Sequence, residues 1–541
     1  MHDDLQMMRQ LELTKCINDG QIPCRWVPDM GYGFGFPLFN FYPPLPYIVG
    51  TPFVYLGIPY VDITKILLII SFVASGVAMY FFAKEMFALK NEKLSKLAGT
   101  VSAIFYIWAP YHAVDVYVRG AMNEDWAMIF FPLILWTAYR LIKDDKGLGK
   151  WVVGLALSWV GLFLSHNLMV MIFSPIFAVW CLIFLVKEKR WKRMLHFAIS
   201  GLLILGLVAF FTLPAVLEQK YVQIGTLTSG YYEYIAHFVS ISQLLTSRFW
   251  GYGASIWGTG DGMPFPVGHF QWVSSIIVLG YLAYGIIKKR KIETLSLILI
   301  FLIMTGWLAV FMAHARSTFI WMKIPQLAFV QFPWRFLTIP TFTFSFVAGA
   351  LVLMLGKFKK VLWTATILVV IGLIAWNWNF FKVERIGPVT DAEKFSGEAW
   401  RLQQTAGIYD YLPIDAEQAP QKQRTTLVDY MSGVGTTTDE KLGTDWVSFM
   451  VEGEQGTVRV NVFQFPVWKA YIDGKETSIY VHDDEKWGRM YIDIPEGTHE
   501  VYLELTNTPL RTISNYISLV SWIGLILFLL FRKKIFNGKL A

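Results

Sequence analysis

Asp3 and Asp4 are adjacent carboxylates in a polar stretch at the start of the chain. A carboxylate in such a place can take a proton from a sugar hydroxyl or hold a divalent ion such as Mg2+ or Mn2+. A solvated acidic pair is the competing reading. Arg9 and Arg25 add cations in the same stretch, where they are candidates for contact with substrate or phosphate. A second dense cluster spans residues 115–125, with Asp115, Arg119, Asn123, Glu124 and Asp125. The planar guanidinium of Arg119 suits a phosphate, and it equally suits an ion pair with Asp115 or Glu124 that staples the loop. Ser165-His166-Asn167 forms a third group, with His166 and Asn167 as candidate substrate contacts. Arg335 closes the run Gln331-Phe-Pro-Trp-Arg335 and opens an apolar helix. A cation is disfavoured at a helix start, so an anionic ligand or snorkelling to the membrane interface would account for it.

The elements that must position these residues are membrane helices. Of the 541 residues 55% are hydrophobic and only 16% charged, which is too apolar for a soluble domain. A span needs about 20 apolar residues. Eleven such stretches occur, near 64–83, 95–113, 125–142, 151–165, 168–186, 194–216, 270–287, 294–312, 336–356, 361–379 and 513–531. Pro132, Pro175, Pro214 and Pro340 lie within them. Between them, Lys and Arg crowd alternate loops: 84–96, 140–150, 187–193, 288–291 with Lys291, 357–360 and 532–534. The positive-inside rule makes that set cytoplasmic. Residues 1–63, 114–124, 217–269, 313–335 and 380–512 then lie on the non-cytoplasmic side of the cell membrane, with a cytoplasmic C-terminus.

The polar segment 1–63 is thus expected outside with no hydrophobic helix ahead of it. The simplest expectation is that a first span is missing and that the complete protein has twelve. Within this segment, residues 5–13 read as an amphipathic interfacial helix with Leu5, Met8, Leu11 and Leu13 on one side. The stretch 45–59 is short and proline-broken, hence interfacial or re-entrant. Three cysteines exclude a disulfide scaffold. Cys16 and Cys24 could pair, but nothing requires it, and unpaired thiols are the favoured expectation.

Residues 380–512 change character. Thr457-Val-Arg-Val-Asn-Val462 and Glu500-Val-Tyr-Leu-Glu-Leu505 alternate apolar and polar, as half-buried strands do. Asp473-Gly474 after Trp468–Ile472 reads as a hairpin turn. Six or seven strands between 425 and 506 predict a small antiparallel β-sandwich, preceded by an irregular stretch and followed by a final span and a basic tail. Trp446, Trp468 and Trp487 suit sugar stacking, though core aromatics are favoured. Asp483-Asp-Glu485 suits a cation, though a solvated loop is favoured. Along the whole chain no P-loop, GxGxxG, HExxH or GxSxG pattern occurs, so neither nucleotide use nor a serine-hydrolase elbow is supported. The basic residues sit in short loops, which gives no nucleic-acid signal.

Several runs together resemble a known family. They are His2-Asp3, Gly20-Gln-Ile-Pro-Cys-Arg25-Trp26, Gly33-Phe-Gly35-Phe-Pro37, Phe41-Tyr42-Pro-Pro-Leu45, Tyr117-Val-Arg119-Gly120-Ala121, Leu164-Ser-His166-Asn167, Gln331–Arg335 and Phe465-Pro-Val-Trp468 through Asp473-Gly474. The set resembles bacterial membrane proteins labelled "6-pyruvoyl-tetrahydropterin synthase-related", similar to the YfhO-like branch of the GT-C glycosyltransferases. The pterin label implies a zinc site of histidines, and the nine histidines here are scattered. The GT-C resemblance implies sugar transfer from a polyprenyl-phosphate-linked donor to a glycan, lipid or protein acceptor on the non-cytoplasmic face. It implies Asp3 or Asp4 as catalytic base or metal ligand, and cations such as Arg119 or Arg335 on the lipid phosphate. A lipid or glycan transporter or flippase is the alternative, as is a non-catalytic scaffold of envelope assembly.

Overall fold

The computed structural model describes residues 2–256, 258, 260–290 and 292–537, the side chains of 289 and 532–537 excepted. Residue 1 of the expected first loop, Lys291 of a basic loop, and 538–541 of the basic tail lie outside the described residues. So do the side chains of Arg532, Lys533 and Lys534.

Ten helices among the described residues are long and apolar enough to cross a membrane. They are Tyr60–Ala88, Met122–Lys143, Leu148–Ser165, Asn167–Glu188, Trp191–Leu217, His269–Lys288, Thr294–Met312, Pro333–Leu355, Leu362–Phe380 and Pro509–Phe531. Ten of the eleven expected spans are therefore present. The other, expected over 95–113, is a helix of 16 residues, Glu92–Ile107, that ends before Pro110. Proline cannot donate into the ladder and restricts the residue ahead of it, here the extended Ala109. Pro132, Pro175, Pro214 and Pro340 do lie inside helices.

The chain packs into two compact units. The first comprises Met1–Asp4, Thr64–Leu202 and Thr228–Pro388. At its centre lie Met122–Lys143 and Pro333–Leu355, about four-fifths buried, while Leu362–Phe380 is mostly exposed. Phe82, Phe131, Phe173, Phe342 and Phe346 interlock there ring against ring. Gly306 lets Thr343 and Phe344 approach so closely that an added Cβ would stand 2.3–2.4 Å from them. Small residues allow such contacts where no water drives helices together. On Tyr60–Ala88, by contrast, Ile69, Val73, Val77 and Phe81 recur every fourth residue and are exposed. An outward apolar stripe of this kind is what lipid requires.

The second unit comprises Leu5–Ile63, Leu203–Leu227 and Val389–Ala541. Its strands are β1 (Val428–Ser432), β2 (Gly435–Leu442), β3 (Trp446–Gly453), β4 (Gly456–Phe463), β5 (Trp468–Ile472), β6 (Lys475–Thr477), β7 (Arg489–Ile494) and β8 (Gly497–Leu505). They form two antiparallel sheets, ordered β1-β4-β7 and β2-β3-β8-β5-β6, a sandwich-like region. The period-two pattern buries Val447, Phe449 and Val451 on β3 and Val501 and Leu503 on β8. Asp473 and Gly474, both at positive φ, make the tight β5–β6 hairpin.

Around the sheets, several expectations change. Cys16 and Cys24 are joined in a disulfide. Helix Gln6–Asn18 lacks the expected amphipathic pattern: nearly every side is buried, Gln6, Arg9, Gln10 and Glu12 included. The polar side chains are met internally, with Gln10 Nε2 donating to Tyr47 O at 3.1 Å and Tyr47 Oη to Gln6 Oε1 at 2.6 Å. The stretch 45–59 holds an 11-residue helix, Leu45–Tyr55, too short to span. Trp468 is buried against Trp26, Trp446 stacks on Tyr502, and Trp487 packs edge-on to Phe34, so all three take part in packing. Glu485 is buried and ion-paired to Arg489 at 2.8 Å, which removes it from any exposed cation site.

Candidate functional site

In the first unit the chain breaks after Ile107, takes one turn over Pro110–Ala113, and widens into a π-helical turn over Val114–Arg119. Such turns are rare and cluster at functional sites. Gly120 ends it in the left-handed conformation (φ 65°), which lets Ala121 N–H return to Asp115 O at 2.8 Å. The helix Met122–Lys143 then starts with Glu124 and Asp125 in its first turn, where carboxylates suit the dipole.

This local folding puts Asp115, Arg119 and Glu124 in contact. Both anticipated ion pairs of Arg119 form, one to Asp115 and one from Nη2 to Glu124 Oε2 at 2.8 Å. Tyr111 Oη donates to Glu124 Oε1 at 3.0 Å. The indole of Trp334 lies under the Arg119 guanidinium at 4.5 Å, a cation–π contact. Arg335 brings its Nε to 3.5 Å from Glu124 Oε2, while its Nη1 donates to Val330 O and Gln331 Oε1. The anion that explains a cation at that helix start is thus the protein's own Glu124. Arg335 Nη2 makes no hydrogen bond among the described residues.

His166 sits in extended backbone at the junction of Leu148–Ser165 and Asn167–Glu188. Asn123 Nδ2 holds that junction by donating to Ser165 O at 2.9 Å. His166 is part-exposed by surface area, yet its Nδ1 is buried and unpartnered among the described residues. Burial pushes its imidazole down to about 3, with Arg335 and Arg119 acting the same way and Glu124 opposing. Burial, reinforced by Glu124 and Asp125 against the pull of Arg119, likewise pushes the Asp115 carboxyl well up.

The first residues of the chain dock on this cluster. His2 N–H donates to Val118 O at 3.0 Å and Asp3 N–H to Arg119 O at 2.8 Å. His2 Nε2 donates to Tyr252 O at 2.9 Å. Asp3 is half-buried, whereas Asp4 and Asn167 are exposed. The structure therefore brings Asp3, Arg119, Glu124, His166 and Arg335 to one place from four separate stretches. Among the described residues no three His, Cys, Asp or Glu side chains gather as a metal site. A divalent ion on Asp3 and Asp4 has no third ligand of those types there.

Arg9 and Arg25 belong elsewhere, in the second unit. Arg9 is buried over the Tyr42 ring at 4.2 Å. Arg25 donates to Asn40 Oδ1, Phe210 O and Asn515 Oδ1 at 3.1, 2.9 and 2.7 Å. Nearby, both oxygens of Glu218 are met, Oε1 by Thr508 at 2.7 Å and Oε2 by Asn40 and Arg511 at 3.0 and 2.8 Å. Arg25 is thus a buried strut rather than an open phosphate contact. Burial among backbone and amide acceptors, which no local pattern announces, is the reason.

Sequence reasoning did not single out Tyr111, Trp334 or His112, nor the pairing of His112 with Asp125, itself a member of the 115–125 cluster. His112 Nε2 lies 2.7 Å from Asp125 Oδ1, Ser71 Oγ meets Asp125 Oδ2, and Phe72 stacks on the imidazole at 4.4 Å. The signal for His112 and Asp125 is position, two polar residues flanking a helix break in an apolar chain.

Fold and site together define a polytopic α-helical membrane protein with a buried charged cluster and a β-rich region. No family model matches the chain. A protein of Lactococcus lactis subsp. cremoris (strain MG1363), described only as an uncharacterized protein, is 22% identical over 216 residues. That match covers 39% of this chain and 34% of the relative, so the chain spans about a third of the length of the curated relative it matches.

Proposed function

We propose that the protein is an integral membrane glycosyltransferase of the GT-C type, using a polyprenyl-phosphate-linked sugar on the non-cytoplasmic face. The observation that carries this reading is the convergence of residues from four of the family-like runs, with the Asp3 backbone seated on Arg119 and Arg335 beside Glu124. In this reading the half-buried Asp3 carboxylate takes the acceptor hydroxyl proton as the oxygen attacks the sugar C1. The bond from C1 to the phosphate oxygen breaks, and the lipid phosphate leaves. Arg335, whose Nη2 is uncommitted, receives the charge on that phosphate, while Arg119, held by two carboxylates, keeps the cluster in shape. The Cys16–Cys24 disulfide supports placing its segment on the oxidising side.

The test is genetic and chemical. Deleting the gene in the native host should remove a glycan or glycolipid from the envelope, as read by mass spectrometry of extracted glycans. The wild-type gene should restore it, and Asp3→Asn should not, at equal protein level. Restoration by Asp3→Asn together with Asp4→Asn would remove the catalytic reading and favour a scaffold or transporter.

A further inference from the structure

The second unit contains a cleft of about 210 Å3 that the transferase reading does not use. One wall is the glycine-rich loop, with Asp29, Tyr32 and Gly33. The other carries Trp400 and Gln404, four residues apart on the helix Gly397–Thr405 and hence on one face. Gln423 and Arg424 close it from the segment ahead of β1.

The walls are tied to one another by backbone. Tyr32 N–H donates to Gln404 O at 3.2 Å and Arg424 N–H to Tyr32 O at 3.0 Å. Gln404 Nε2 donates to Asp29 O at 3.0 Å, and Gln423 Nε2 donates to Gln404 Oε1. The cleft is therefore preformed. Tyr32 holds a positive φ of 58°, uncommon for a residue with a side chain, and such strain gathers at ligand clamps. Gly33 follows at φ 83°, and a Cβ there would sit 3.7 Å from both Arg424 Cβ and Gln404 Nε2.

Its chemistry is specific. Trp400 is part-exposed and offers an aromatic face, while Gln423 Oε1 and the second N–H of each amide remain beyond the bonds that tie the walls. That pairing matches a sugar ring, whose C–H face stacks on an indole while its hydroxyls take hydrogen bonds. The volume lies below the ~300 Å3 at which sites for drug-sized ligands begin, so the cleft holds one ring and not a chain. The charges are unequal. The Asp29 carboxylate is ion-paired to Lys15. Arg424 has no ion pair among the described residues, and its Nη1 is buried without a hydrogen-bond partner. Asp29 and Glu440 act on Arg424 from beyond ion-pair distance, so a buried guanidinium nitrogen of this part-exposed side chain still lacks a direct anionic partner that a ligand can supply.

We propose that this cleft binds a single sugar ring bearing a carboxylate, a uronate, with the ring on Trp400 and the carboxylate at Arg424. The inference stands apart from the transferase reading, because every residue of the cleft lies in the second unit and binding is read without turnover. The experiment is calorimetric titration of the full chain in nanodiscs with D-glucuronate, D-glucose and acetate. Saturable binding of D-glucuronate is expected, at least tenfold tighter than D-glucose or acetate. Trp400→Ala should weaken it at least tenfold and Trp400→Phe less than threefold. Arg424→Gln should reduce D-glucuronate to the level of D-glucose. Absence of saturable D-glucuronate binding to the wild type overturns the proposal. So does acetate binding as tightly, or a Trp400→Ala protein with native melting that binds D-glucuronate unchanged.

Discussion

Each unit buries a set of charged groups, and the two sets are built on opposite plans. In the first unit the carboxylates Asp115, Glu124 and Asp125 outnumber the guanidinium groups of Arg119 and Arg335. Glu124 is shared by Arg119, Arg335 and Tyr111, and Arg335 keeps an uncommitted nitrogen. In the second unit Arg25 and Arg511 outnumber Glu218, whose two oxygens are both taken. Buried ions are costly unless well paired, and breaking such a pair costs more than the pair contributes. The contrast teaches where to look for function. Unpartnered guanidinium nitrogens occur in both sets, Arg25 Nε and Arg511 Nη2 in the second unit and Arg335 Nε in the first, so what sets the first apart is the half-buried Asp3 whose backbone docks on Arg119.

The largest effect should fall on the second set. Glu218→Ala leaves Arg511, Thr508 and Asn40 without their acceptor and should cost about 3–5 kcal/mol, read as a lower melting temperature in detergent. Next comes a pair of arginines that sharpens the contrast. Arg25→Gln should cost about 2–3 kcal/mol, since three hydrogen bonds to buried groups are lost. Arg335→Gln should cost less, about 1–2 kcal/mol, because only its bonds to Val330 O and Gln331 Oε1 are lost while Arg119 and Tyr111 still hold Glu124, and envelope glycan formation should fall at least a hundredfold. Equal melting losses for the two would erase the distinction.

A smaller effect depends on pH. The folded His166 lies near 3, below its ordinary 6.5, so the unfolded chain binds the extra proton between those values. Its contribution is present above pH 6.5 and is lost as pH falls toward 3, by about 2 kcal/mol after discounting for the part-exposed ring. His166→Gln should flatten that part of the melting-versus-pH curve. The smallest effect belongs to Asp445 in the second unit. Burial, with Asp19 next, raises its carboxyl to about 6, so its contribution is complete below the ordinary 3.8 and is lost as pH rises through 6. Asp445→Asn should therefore stabilise at pH 7, by at most about 1 kcal/mol once exposure is discounted.

The same contrast explains what the sequence made legible. Asp115, Arg119 and Glu124 lie within ten residues of one another, so their pairing is a local question that spacing can raise. Spans and strands are periodic, and periodicity survives in a one-dimensional string. The partners of Arg25 lie as far away as Asn515, and those of Glu218 at Asn40 and Arg511, which no window brings together. The helix Glu92–Ile107 shows the converse failure. Its apolar run continues past Trp108, but Pro110 and the polar cluster behind it redirect the chain before a full span is reached. Helix Gln6–Asn18 misled for another reason: its polar residues serve buried acceptors instead of water.

In the transferase proposal the cluster of the first unit receives a lipid phosphate. The most direct test is a structure of the full chain in nanodiscs with saturating polyprenyl phosphate. Density for the phosphate is expected within hydrogen-bond distance of Arg335 Nη2 and on the same side of the cluster as Asp3, lost in Arg335→Gln. Phosphate bound elsewhere, or density at that place unaffected by Arg335→Gln, would contradict it.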